Sequence, residues 1–136
     1  MIPFTLKIVT PYGVIYEGQA EEVIVRATTG DIGFLARHID AVAPLGMGRA
    51  TIVIDGQKRY AACIGGMVTV TNGNVTLVPT TFEWAEDIDV SRAENSKTRA
   101  EKVLNDNNAT ATEIALAQAR LKRALVRASV ATYKPK

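Results

Sequence analysis

The sequence has one cysteine, Cys63, one histidine, His38, and no acidic residue after Glu113. A lone cysteine cannot close an internal disulfide, so a reducing compartment is expected. Cys63 lies in the apolar run "RYAACI", where it reads as a small buried hydrophobe. So little His and Cys leaves no His-based metal cluster. A Cys63, His38 and Asp40 nucleophilic set exists on paper only, because Cys63 falls in a strand-like segment. No window approaches 18 apolar residues, and "MIPFTLKIV" lacks the basic start, apolar stretch and cleavage site of a secretion signal. No membrane span is expected, and contact with a membrane is expected only through partners. No glycine-rich loop precedes a Lys-Ser/Thr pair, so a phosphate loop is excluded.

Glycine and proline are absent between Pro79 and Pro135, and all ten glycines lie between Gly13 and Gly73. Seven of the eight aromatics stand at or before Trp84. The composition therefore breaks near residue 84, with a β-sandwich domain expected over 1–84 and a helical hairpin over 85–136. Before the break "FTLKIVT", "VIYE", "EEVIVRA", "ATIVI", "RYAACI", "MVTVT" and "VTLVP" read as short strands. Asp55-Gly56 and Asn72-Gly73 read as tight hairpin turns. Gly65-Gly66 reads as strand geometry rather than a ligand cradle.

After the break a helix is expected from Ile88 to Leu104, with Asp87 as its N-cap. Glu83 and Glu86 read as the acidic approach to that helix. A second helix is expected from Ala111 to Ala131, capped by Thr110 or Thr112. The short link "NDNNAT" makes the pair an antiparallel hairpin. Ile114, Ala117, Leu121, Ala124, Leu125 and Ala128 share one side of the second helix, a small, alanine-rich seam.

Charge follows the same break. Residues 1–86 carry six basic and eight acidic residues, a net of −2, within a chain of net +2. The remainder therefore carries +4. On a helical wheel starting at Ile88, Arg99, Arg92, Ser96 and Asp89 fall at about 20°, 40°, 80° and 100°. Arg120, Arg123 and Arg127 repeat at i, i+3 and i+7 and form a second cationic ridge. Brought together, these guanidiniums suit forked contacts with phosphate. The same spacing also fits an Asp89–Arg92 surface pair and ordinary solvated faces. Few aromatics accompany the basic residues, which argues against stacking on nucleic acid.

Several stretches together resemble the epsilon subunit of the rotary proton-translocating ATP synthase. They are "LKIVTPYGVIYEGQAEEVIV", "TTGDIGFLARHIDAVAPL", "IGGMVTVTNGNVTLV" and "AEDIDVSRAENSKTRAEKVL". The resemblance implies an N-terminal antiparallel β-sandwich of about ten strands followed by a C-terminal two-helix hairpin. It implies a non-catalytic central-stalk subunit on the cytoplasmic face of the bacterial plasma membrane, coupling proton-driven rotation to ATP synthesis. The sandwich would meet the gamma subunit and the rotor ring, the latter through residues 30–45 with Asp31 and His38. In that loop Ala36-Arg37 stands where the family usually has Pro-Gly, and Asp40-Ala41 where Pro-Leu is common.

Some bacterial members bind one ATP, which is not hydrolysed, through Ile/Leu-Asp-x-x-Arg-Ala. Here that motif is Ile88-Asp89-Val90-Ser91-Arg92-Ala93. The resemblance extends the site to Glu83, Arg99, Arg123 and Arg127 and leaves a magnesium requirement open. It implies a hairpin that closes on ATP and otherwise extends toward the alpha and beta subunits. There Arg120, Lys122, Arg123 and Arg127 would block ATP hydrolysis. Trp84 departs from the family and would stand near a base. A purely structural coupling subunit without a working ATP site is the alternative.

Overall fold

Alternation of apolar and polar residues sets the architecture of the first unit, because strand side chains point to opposite faces in turn. In Phe4–Thr10 every second residue is buried. A computed structural model describes residues 1–135. It forms two compact units, the first ending at Trp84 and the second beginning at Ala85.

The first unit has ten strands: β1 (Phe4–Thr10), β2 (Gly13–Ala20), β3 (Glu22–Ala27), β4 (Gly30–Phe34), β5 (Ala41–Pro44), β6 (Met47–Ile54), β7 (Gln57–Ile64), β8 (Met67–Thr71), β9 (Asn74–Val78) and β10 (Thr81–Trp84). They build two five-stranded sheets, ordered β2-β1-β9-β8-β5 and β10-β7-β6-β3-β4. The pairings are antiparallel except β1 with β9, which is parallel. Leu6, Ile8, Val68, Val70, Val75 and Leu77 from one sheet meet Val23, Val25, Phe34, Ile52 and Cys63 from the other in a single core.

Sequence reasoning from the residues missed β4, β5 and β10. These are only four or five residues long, and β4 carries two glycines and β5 ends on Pro44. All three lie at sheet edges, where such residues are tolerated. Both expected hairpin turns form, with positive φ at Asp55, Gly56, Asn72 and Gly73. The Glu21 carboxylate accepts hydrogen bonds from the Asp55 and Gly56 backbone N–H groups, at 3.1 and 2.7 Å. Gly66 is required by close approach, since a Cβ there would stand 2.0 Å from the Val78 carbonyl oxygen.

The second unit opens with a 3-10 turn, Ala85–Asp87. Two helices follow, α1 (Val90–Leu104) and α2 (Ala111–Ala131). The N-cap of α1 is Asp89, not Asp87: its Oδ1 accepts the Arg92 backbone N–H at 3.1 Å. The helix begins two residues later than expected because the 3-10 turn takes Asp87 and closes with Ile88 N–H on the Ala85 carbonyl. Glu83 belongs to β10, paired with Ala62, and Glu86 to the 3-10 turn. On α2 the cap is Thr110, whose hydroxyl accepts the Glu113 N–H and donates to Glu113 Oε1, both at 3.1 Å.

Alanines seven residues apart make the helix seam: Ala93 and Ala100 on α1, Ala117 and Ala124 on α2, all buried. Ile114, Leu121 and Ala128 are half-buried beside them. Leu125, expected in the seam, is exposed, because it lies about 80° around the helix from Ala117. An alanine seam lets helices approach closely but buries little apolar area, so the pair is held weakly.

Candidate functional site between the helices

Small side chains in the seam leave room beside it. A cavity of about 660 Å³ lies between α1 and α2. From α1 it is lined by Ser96, Arg99, Ala100 and Val103, and α2 contributes Arg120, Arg123 and Arg127 together with Glu113, Leu116 and Ala117. Its volume falls in the range of small-molecule sites. Four guanidiniums share it with one carboxylate, and that carboxylate accepts from the Thr110 hydroxyl. Among the described residues no ion pair forms to Arg99, Arg120 or Arg123. Permanent cations crowded without counter-charge repel one another and favour an anion. The donor set, with the Ser96 hydroxyl added, fits a phosphate chain.

Three residues expected at an ATP site, Arg99, Arg123 and Arg127, line this cavity. Ile88, Asp89 and Arg92 do not. Wheel angles aligned Arg92 with Ser96 and Arg99, but Arg92 stands one turn, about 6 Å, nearer the start of α1 than Ser96. Asp89 meets Arg92 through the backbone N–H, not as a side-chain ion pair. Ile88 is buried. Glu83 belongs to the first unit. Lys122 is exposed on α2 and outside the lining. Arg120, the ridge member that the family pattern does not call for, lines the cavity as well. Glu113 was missed as a lining residue; its seven-residue spacing from Arg120 was the available signal.

The loop over 30–45 forms a second candidate surface, on the first unit. Asp31 stands opposite Arg26 in the β3–β4 register and accepts from its Nε at 2.6 Å. Gly48 makes room for Arg26, since a Cβ there would meet the Arg26 Cβ at 2.6 Å. His38 packs edge-on against Phe34 at 4.9 Å. Its Nδ1 lies 2.7 Å from the Ile39 carbonyl oxygen, an acceptor, so Nδ1 carries the proton. Asp40 accepts the Asn72 N–H at 2.9 Å. The polar side chains of this loop thus serve its own shape. Three large apolar side chains also face outward, Leu35, Ile39 and Val42, which are 51, 79 and 68 % exposed, beside the exposed Arg37. Their place in "FLARHIDAV" was the sequence signal for a contact surface.

Other expectations resolve within the first unit. Burial pushes the Cys63 thiol up to about 12, which makes it unreactive. Trp84 is buried, with Phe82 edge-on at 5.0 Å and the Arg59 guanidinium 3.7 Å over its ring. Its ring face is occupied by Arg59. Among the described residues no three His, Cys, Asp or Glu side chains group to hold a metal ion. Among the described residues no helix is long and apolar enough to cross a membrane.

Comparison with known proteins agrees with this architecture. Residues 3–85 match the beta-sandwich domain of the ATP synthase delta/epsilon chain, and residues 86–132 match its long alpha-helix domain. The chain is 42% identical over 130 residues to the ATP synthase epsilon chain of Caldanaerobacter subterraneus, covering 95% of this chain and 94% of that one. It is 42% identical over 135 residues to the epsilon chain of Ruminococcus albus, covering 98% and 100%. Its fold is similar to that of a chain in the Euglena gracilis mitochondrial ATP synthase, with a TM-score of 0.77 at 19% identity, over 88% of this chain and 76% of that one. Sandwich, hairpin and sequence together establish that the chain belongs to the ATP synthase delta/epsilon family.

Proposed function

We propose that this chain is the epsilon subunit of the central stalk of a bacterial ATP synthase, and that its hairpin senses ATP. The sandwich joins the gamma subunit and carries rotation from the rotor ring, coupling proton flow to ATP synthesis. Loop 30–45 meets the ring, with Leu35, Ile39 and Val42 supplying apolar contact and Asp31 and His38 holding the loop in shape. The subunit sits peripherally on the cytoplasmic face of the plasma membrane, reaching the membrane through its partners.

The observation that carries the regulatory reading is the cavity lined by Arg99, Arg120, Arg123 and Arg127. One ATP places its phosphates there and holds the two helices together. Arg92 and Asp89 complete the site from the start of α1, and the family pattern adds Ile88. Without ATP the guanidiniums repel, the weakly held seam opens, and Arg120, Lys122, Arg123 and Arg127 meet acidic surfaces on the catalytic subunits. Hydrolysis then stops. A ligand at a thousandfold excess over Kd stabilises its preferred state by about 4 kcal/mol, enough to govern such a hairpin. The chain does not hydrolyse the nucleotide, because it carries neither a glycine-rich phosphate loop nor a base positioned for attack.

A purely structural coupling role is favoured by one observation: Ile88, Asp89 and Arg92 stand outside the lining. ATP hydrolysis by the assembled complex separates the two. Removal of residues 87–136 is expected to release hydrolysis at low ATP, and Arg99→Ala to leave the complex inhibited at ATP levels that activate the unmodified one. Equal rates for the truncated, substituted and unmodified complexes would leave only the structural role.

A further inference from the structure

We infer that Arg120 is a further phosphate ligand of the α1–α2 cavity, which makes the site selective for the charge of a triphosphate. This rests on the reading of that cavity as an anion site. Arg120, Arg123 and Arg127 fall within about 60° of one another on α2. All three line the cavity, and Arg99 faces them from α1. No ion pair among the described residues engages Arg120. Glu113, which shares its face of the helix, bonds to the Thr110 hydroxyl instead. Arg120 is therefore a permanent cation held in no ion pair, next to two others, with one carboxylate in the lining against four guanidiniums.

The rest of the lining sharpens the selectivity. It holds no aromatic ring and no Asn or Gln amide. The lining is mostly guanidinium, which also stacks on or bonds to a base but meets phosphate charge most strongly; only Ser96 adds a neutral polar group. Discrimination inside the cavity therefore follows the number of phosphate charges. Each further guanidinium adds a forked, charge-assisted contact and raises the local potential. The shared chemistry is a linear polyphosphate, whether carried by a nucleotide or free in solution.

The test is calorimetric titration of the full chain, unmodified and as Arg120→Ala and Arg120→Lys, with ATP, ADP and inorganic tripolyphosphate. Alanine is the best helix former, so α2 is retained, and circular dichroism checks this. Arg120→Ala is expected to weaken ATP and tripolyphosphate by a similar factor, about tenfold. ADP should lose less, and Arg120→Lys should recover some of the loss while keeping the charge. Unchanged ATP affinity in Arg120→Ala, with the unmodified chain binding, would overturn the role of Arg120 and leave the site standing. A loss for ATP without a loss for tripolyphosphate would also overturn it. If the unmodified chain binds neither ligand, the anion site itself fails, and this inference with it.

Discussion

Arg37 has a φ of 66°, in the left-handed region that favours glycine. It occupies the position where the family pattern carries glycine, so the backbone of the loop is kept while the side chain is not. A non-glycine residue there bears a cost of about 1–2 kcal/mol, partly offset because glycine loses more freedom on folding. Arg37→Gly is expected to raise stability by somewhat under about 1 kcal/mol, read as a higher urea midpoint at unchanged slope. A lower midpoint would mean that the Arg37 side chain itself holds the loop. Gly66 shows the opposite case, a glycine fixed by contact; Gly65-Gly66 is not strand geometry but the positive-φ bend between β7 and β8, as its place between two strand-like runs signalled. Cys63 was legible too, since a lone thiol in an apolar run has little to do but pack.

Among the elements, long strands and both helices were legible because their periodicities are strong. Residues 111–131 form α2 with the expected ends. The short edge strands were not, because four residues with glycine or proline look like turns. The start of α1 was blurred because Asp87 and Asp89 are both good caps, and only the 3-10 turn decides between them. This matters for function. Asp89 was singled out as a ligand, yet its Oδ1 caps the helix. Asp89→Ala is expected to destabilise the chain by about 1 kcal/mol, whereas Asp89→Ser retains a cap and should cost only a few tenths. Urea unfolding of both variants checks this. Equal losses would show that the carboxylate, not the cap, stabilises α1. Nucleotide affinity is therefore best compared in Asp89→Ser.

On the scale of the whole chain, charge and composition divide at the same place as the fold. The glycine- and aromatic-rich region is the sandwich, and the basic region is the hairpin. The candidate site was only partly legible. The ridge of Arg120, Arg123 and Arg127 follows from spacing alone, as does Arg99 on the facing helix. What spacing did not give was depth along the helix, which separates Arg92 from the cavity. A helical wheel keeps angle and discards rise. At this scale the hairpin presents a set of cations, which we propose as the seat of a nucleotide.

Calorimetric titration of the intact chain with ATP, beside an Arg99→Ala/Arg123→Ala variant, tests that role most directly. One-to-one binding to the unmodified chain, lost or weakened at least about a hundredfold in the variant, is the expected result. Binding of equal strength to both chains, or to neither, would contradict it.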